Sequence, residues 1–113
     1  MKKSSFSDAI SYGEKGIKAE VILESSFTKE IRIMLKKGCV MKEHKTPYTI
    51  LVHLLKGNVD FTVGSEMHSL VEGDILTLEG NVVHELAATE DSMVRLTLSK
   101  LDKIERVKSL EGS

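Results

Sequence analysis

One cysteine and one proline occur among the 113 residues, and aromatic residues make up only 4%. The lone Cys39 excludes an intrachain disulfide and any metal site built from several thiolates. So few rings leave little platform for stacking bases, and 16 Lys and Arg against 17 Asp and Glu leave no positive excess to neutralise phosphates. Composition therefore argues against a nucleic-acid partner. No hydrophobic run approaches the length of a membrane span. The basic start Met1-Lys2-Lys3-Ser4-Ser5 leads into Asp8, Tyr12, Glu14 and Lys15 and not into an apolar stretch. That pattern predicts no secretory signal, no membrane partner and a cytoplasmic location. There is also no Gly-rich phosphate loop, no Ser/His/Asp order and no carboxylate pair at a recognisable catalytic spacing.

What is present is punctuation. The chain is one domain's worth at 12.5 kDa, with an ordinary mixture of 41% hydrophobic and 29% charged residues. Gly57-Asn58, Gly64-Ser65, Gly73-Asp74 and Gly80-Asn81, continued by Glu90-Asp91, mark turns between short runs rich in Val, Ile, Leu and Thr. Those runs are 49–55, 59–63, 75–78 and 93–98. Val59, Phe61 and Val63 share one face, and Val94, Leu96 and Leu98 another, with polar residues between them. Alternation also marks strands through Ala19, Val21 and Leu23 and through Ile31, Ile33 and Leu35. The expectation is an all-β fold, an antiparallel jelly-roll barrel of about eight or more strands with little helix. An N-terminal segment (1–17) precedes the barrel (18–99). A C-terminal tail (100–113) follows, with three-to-four spacing of Leu101 and Ile104 that suggests a short helix.

The run Ile50 to Leu55 differs from the others because it is apolar on both faces. Ile50, Val52 and Leu54 are expected to face inward. Leu51 and Leu55 then need a cover on the other side, which predicts a homodimer unless the N-terminal strand supplies one. His53 shares their outward parity; a bulge would be needed to turn it inward.

The glycines also set the frame for four histidines, His44, His53, His68 and His84. Gly38 is followed after five residues by His44, then Thr46 and Ile50, and Gly57 closes the run. Farther on, Gly73-Asp74 leads through Glu79 and Asn81 to His84 and then Ala88. This double pattern resembles that of the cupin family, over roughly Lys18 to Leu98. In that family three histidines and a glutamate hold a divalent metal inside the barrel. The resemblance places two ligands here, His44 and His84, whereas Thr46 stands at the second histidine position and Ile50 at the glutamate position. Such a set suits Fe, Mn, Zn or Ni, held weakly or not at all when half of it is missing.

Each residue also has a plainer reading. A histidine on a barrel strand is more often hydrogen-bonded and partly buried than a metal ligand, and alternation alone does not say which way His68 faces. Thr46, before the only proline, Pro47, shapes the strand entry. Gly57, Gly64 and Gly73 are expected turn formers with positive φ. Cys39 reads as a small buried residue. Lys36, Lys37, Lys42 and Lys45 form a rim around His44 that would favour an approaching anion. Two functions follow. One is a small-molecule-binding cupin with an apolar cavity lined by Ile50, Val52, Leu54 and Thr46. The other is a metal-dependent cupin enzyme, an oxygenase or isomerase using His44 and His84. The missing glutamate argues for the first, since without an anionic ligand the site holds more uncompensated positive charge.

Overall fold

The computed structural model describes residues 1–100, so the helix expected in the tail lies outside the described residues. Strands make up 57% of the described chain, and no helix occurs in it. In chain order they are β1 (Ile17–Glu24), β2 (Thr28–Leu35), β3 (Val40–His44), β4 (Ile50–Lys56), β5 (Asn58–Val63), β6 (Glu66–Val71), β7 (Ile75–Leu78), β8 (His84–Ala88) and β9 (Ser92–Ser99). All pairings are antiparallel. One sheet runs β1-β2-β9-β4-β7 and the other β3-β8-β5-β6. The jelly-roll expectation is met.

The core lies between the sheets and follows the period-two pattern. Ile50, Val52 and Leu54 of β4 stand opposite Leu98, Leu96 and Val94 of β9, and Val59 and Phe61 of β5 meet Ala88 and Leu86 of β8. Ile33, Leu35, Ile50, Val52, Leu54, Val59, Phe61 and Val94 are almost completely buried. At about 1.5–3 kcal/mol for each fully buried side chain of this size, this cluster supplies the main drive for folding.

The outward face of the first sheet is not uniformly wet. Arg32 is 1% exposed. Its guanidinium donates to the Phe6, Asp8 and Ala9 carbonyls at 2.9, 2.7 and 3.3 Å and to the Glu20 carboxylate at 3.1 Å. A buried charge needs such partners, and here they hold the N-terminal segment across β2. Beside it, Glu30 accepts from Arg95 Nε at 2.9 Å, from Thr28 Oγ1 at 3.0 Å and from Thr97 Oγ1. Burial pushes the Glu30 carboxyl up, but those hydrogen bonds and the Arg95 charge together bring it below its ordinary value.

Gly57 is where the chain leaves one sheet for the other. A bulge between Leu54 and Lys56 adds one residue to β4 just before it; it lies beyond His53, which stays on the outward parity opposite Arg95 and Ile75. Gly57 has φ +93°, and a Cβ there would meet Ser92 Oγ, the Asp91 carbonyl oxygen and Ser92 Cα. Two of those atoms are backbone and cannot step aside. Gly64, at φ +60°, faces open space.

Gly57→Ala is therefore expected to cost about 3 kcal/mol or more, the combined cost of a positive φ and an overpacked contact. Gly64→Ala carries only the backbone penalty of about 1 kcal/mol. Urea denaturation of both variants checks this, and equal losses would show that the Gly57 corner relaxes freely.

Candidate functional site

Within β3 the register shifts between Met41 and His44, so that one extra residue brings His44 opposite His84 of β8. Without that bulge, His44 would fall on the outer parity of its strand. The two imidazoles meet edge to face, with ring centroids 4.2 Å apart and planes at 63°. The Phe61 ring stacks nearly parallel to His84 at 5.7 Å, and His84 is only 3% exposed.

Each ring is oriented by the same local device. His44 Nδ1 lies 2.9 Å from the Lys42 carbonyl oxygen, and His84 Nδ1 lies 2.9 Å from that of Val82. A carbonyl oxygen only accepts, so each Nδ1 carries a proton, and the neutral form of either ring has its lone pair on Nε2. Burial pushes the His84 pKa below 6.5, and the neighbouring His44 adds to that shift, against the opposing effect of the Val82 hydrogen bond.

The remaining family ligand positions contribute no metal donors. Ile50 sits in the packed core at 1% exposure. Thr46 turns its Oγ1 toward the Tyr48 amide, from which it accepts at 3.3 Å, and its carbonyl accepts from Asn81 N at 2.7 Å. Among the described residues, no group of three or more His, Cys, Asp or Glu converges as a metal site. The donor set is two imidazole nitrogens, which does not fit the four-ligand shell of a resident divalent metal.

Open space lies elsewhere in the barrel. A cavity of about 380 Å³ opens between β6 and β7, lined by Phe61, Val63, Glu66, His68, Leu70, Leu76, Thr77 and Leu78. Both strands are at the ends of their sheets, so among the described residues no strand pairing seals the core on this side. Ile50, Val52, Leu54 and Thr46 do not line it; the first three are core packing. Parity does place Glu66 and His68 with buried Leu70, and His68 Nε2 lies 3.5 Å from Glu66 Oε2 at the rim. Sequence alternation relates these three residues, but only the sheet order shows that β6 and β7 flank an opening.

His53 stands on the outer face, apart from this site. The Gly73-Asp74 pair of the second motif has a structural task. Asp74 Oδ2 accepts from Val71 N at 3.0 Å, and Gly73 N and the Asp74 carbonyl bond to the Leu54 backbone at 2.9 Å. Cys39 is partly buried against the core.

Because native His84 holds a proton less tightly than the unfolded chain, the unfolded state binds more protons below pH 6.5. The stability associated with neutral His84 is complete above that pH and is lost as pH falls through the native value. A histidine-resolved NMR titration should give His84 a midpoint below 6.5, with urea stability declining over the same window. A midpoint above 6.5 would contradict the desolvated ring.

Comparison with known proteins agrees with this geometry. The family model described as a cupin domain matches residues 31–100. An RmlC-like cupin from Desulfovibrio desulfuricans superposes with a TM-score of 0.78 at 20% identity, covering 88% of this chain and 96% of that one. One from Methanocaldococcus jannaschii, with a double-stranded β-helix fold, gives 0.75 at 17%, over 94% and 96%. KdgF from a Halomonas species gives 0.71 at 20%, over 77% and 82%. No match was found among curated proteins, and identities this low speak to fold alone. No helix of the described residues is long and apolar enough to cross a membrane. With nine strands in two antiparallel sheets among the described residues, the paired His44 and His84, and a family match over most of the barrel, the chain belongs to the cupin family.

Proposed function

We propose that this cupin binds a small molecule in the cavity between β6 and β7, beside a metal site reduced to two histidines. The observation that carries this reading is the cavity itself. It is walled by Phe61, Val63, Leu70, Leu76 and Leu78, and its polar groups are confined to Glu66, His68 and Thr77. A volume of about 380 Å³ lies within the range of roughly 300–1,000 Å³ typical of small-molecule sites, and an apolar wall with a few polar groups is their usual composition. Phe61 links the two places, since its ring lines the cavity and stacks on His84.

The metal-enzyme reading, an oxygenase or isomerase, draws support from the two free Nε2 lone pairs, and it is weakened by Ile50 in place of a carboxylate. Weak binding of Zn or Ni by His44 and His84 is the expected behaviour. One NMR titration series tests both readings. The neutral probe 2-phenylethanol should shift signals of Phe61, Val63, Leu70 and Leu76, and Leu76→Trp should remove the response by filling the space. Zinc should act weakly at His44 and His84. His44→Ala or His84→Ala should abolish most of that binding, and His53→Ala should leave it intact. The double substitution Thr46→His and Ile50→Glu should strengthen metal binding by orders of magnitude. If the probe leaves the cavity signals unmoved, the binding reading is lost; unchanged zinc affinity after removing either histidine would make the pair structural.

A homodimer through the outer face of β4 and β7 belongs to the same proposal. The N-terminal segment reaches Arg32 and Arg95, whereas Leu51 and Ile75 remain 41% and 61% exposed. Covering several such side chains at about 25 cal/mol per Å² contributes a few kcal/mol. Sedimentation at tens of micromolar should show a dimer that Leu51→Glu converts to monomer; a monomer before substitution would exclude this interface.

A further inference from the structure

We propose that the cavity selects an apolar molecule bearing a protonated amine, with the ammonium group held by Glu66 at the rim and the apolar body against Phe61, Val63, Leu70 and Leu76. This rests on the cavity being a binding site and adds the chemical class of its ligand. The argument is one of charge placement. Among the described residues the lining contains one carboxylate, Glu66, and no lysine or arginine. The Glu66 carboxylate lies within ion-pair distance of no lysine or arginine among those residues. Its neighbour is His68 Nε2 at 3.5 Å, a partner that carries charge only when protonated.

The lysine rim expected to attract anions does not line this cavity. Lys36 lies over the Tyr12 ring, and Lys37 pairs with Glu90. Lys42 and Lys45 lie on and just beyond β3, at the opposite end of its sheet from β6. Three strand spacings separate those edges, about 14 Å, which exceeds the screening length of about 8 Å at physiological salt. Within the described lining, the permanent charge at the mouth is that of Glu66. An anionic ligand would bring a second negative charge to it, and a neutral one would leave the carboxylate without a new partner.

Three probes that share a phenylethyl body test this on the full chain at pH 8, above the imidazole range: 2-phenylethylamine, 2-phenylethanol and 3-phenylpropionate, followed by NMR. The amine should bind about threefold to fivefold tighter than the alcohol, and the carboxylate should bind weaker by a similar factor, the range of an exposed charge pair. Raising NaCl to 0.5 M should compress both ratios toward one. Glu66→Gln should bring the amine and alcohol affinities together, and Glu90→Gln should leave the amine preference in place. Equal binding of all three probes, or tighter binding of the carboxylate, would overturn the ligand class while the cavity site stands. Failure of the alcohol and the amine alike would remove the binding reading and this inference with it.

Discussion

The strand phase on either side of Gly57 governs most of what this molecule presents. On β4 the even-numbered residues Ile50, Val52 and Leu54 face the core, whereas on β5 the odd-numbered Val59, Phe61 and Val63 do so. The bulge after Leu54 and the left-handed glycine absorb that change of parity within a corner too tight for a side chain. Ser92 fastens the same corner from β9, where its hydroxyl accepts from Asn58 N at 3.1 Å. If the corner slipped by one residue, Phe61 would turn to solvent, and both the cavity wall and the stacking partner of His84 would be lost.

His84 is held by three contacts at once. Its ring is desolvated by Phe61 and the barrel wall, oriented by the Val82 carbonyl, and met edge-on by His44. Each feature serves metal coordination and plain packing equally well. What separates the two is the donor count, and here Ile50 decides. A carboxylate at that position would be buried at a large cost unless a cation neutralised it; an isoleucine removes both the cost and the need for the cation. The open space in the barrel is an apolar cavity with one acidic edge.

Much of this was legible in the sequence. Period-two alternation gave the strands through Val59 and Val94, glycine spacing gave the turns and the family, and parity placed Ile50, Val52 and Leu54 inward and His53 outward. The pairing of His44 with His84 followed from the motif and not from alternation, because the β3 bulge breaks the period just where His44 must turn inward. The cavity was not legible. It depends on which strands end up at the sheet edges, a property of topology that no local pattern on β6 or β7 carries. Expecting the space at Ile50, Val52 and Leu54 treated an inward direction as an open volume, whereas those side chains meet β9 and fill their part of the barrel.

Arg32 was equally invisible, since on its own strand it reads as the polar partner in an alternating run. Its burial follows from the first nine residues, whose carbonyls solvate the guanidinium at Phe6, Asp8 and Ala9. The arrangement divides the outer face of the first sheet. Over β2 and β9, most charged and polar groups find partners within the chain, through Glu20, Glu30 and the N-terminal carbonyls, with buried Arg32 Nε left over. Over β4 and β7 the alternating positions carry Leu51, His53 and Ile75, and the N-terminal segment makes its polar contacts on the other half. An apolar strip beside a self-satisfied polar one can gain free energy only by meeting another apolar surface. The polar half, tied to the N-terminal segment through the Arg32 hydrogen bonds, marks where that apolar strip ends.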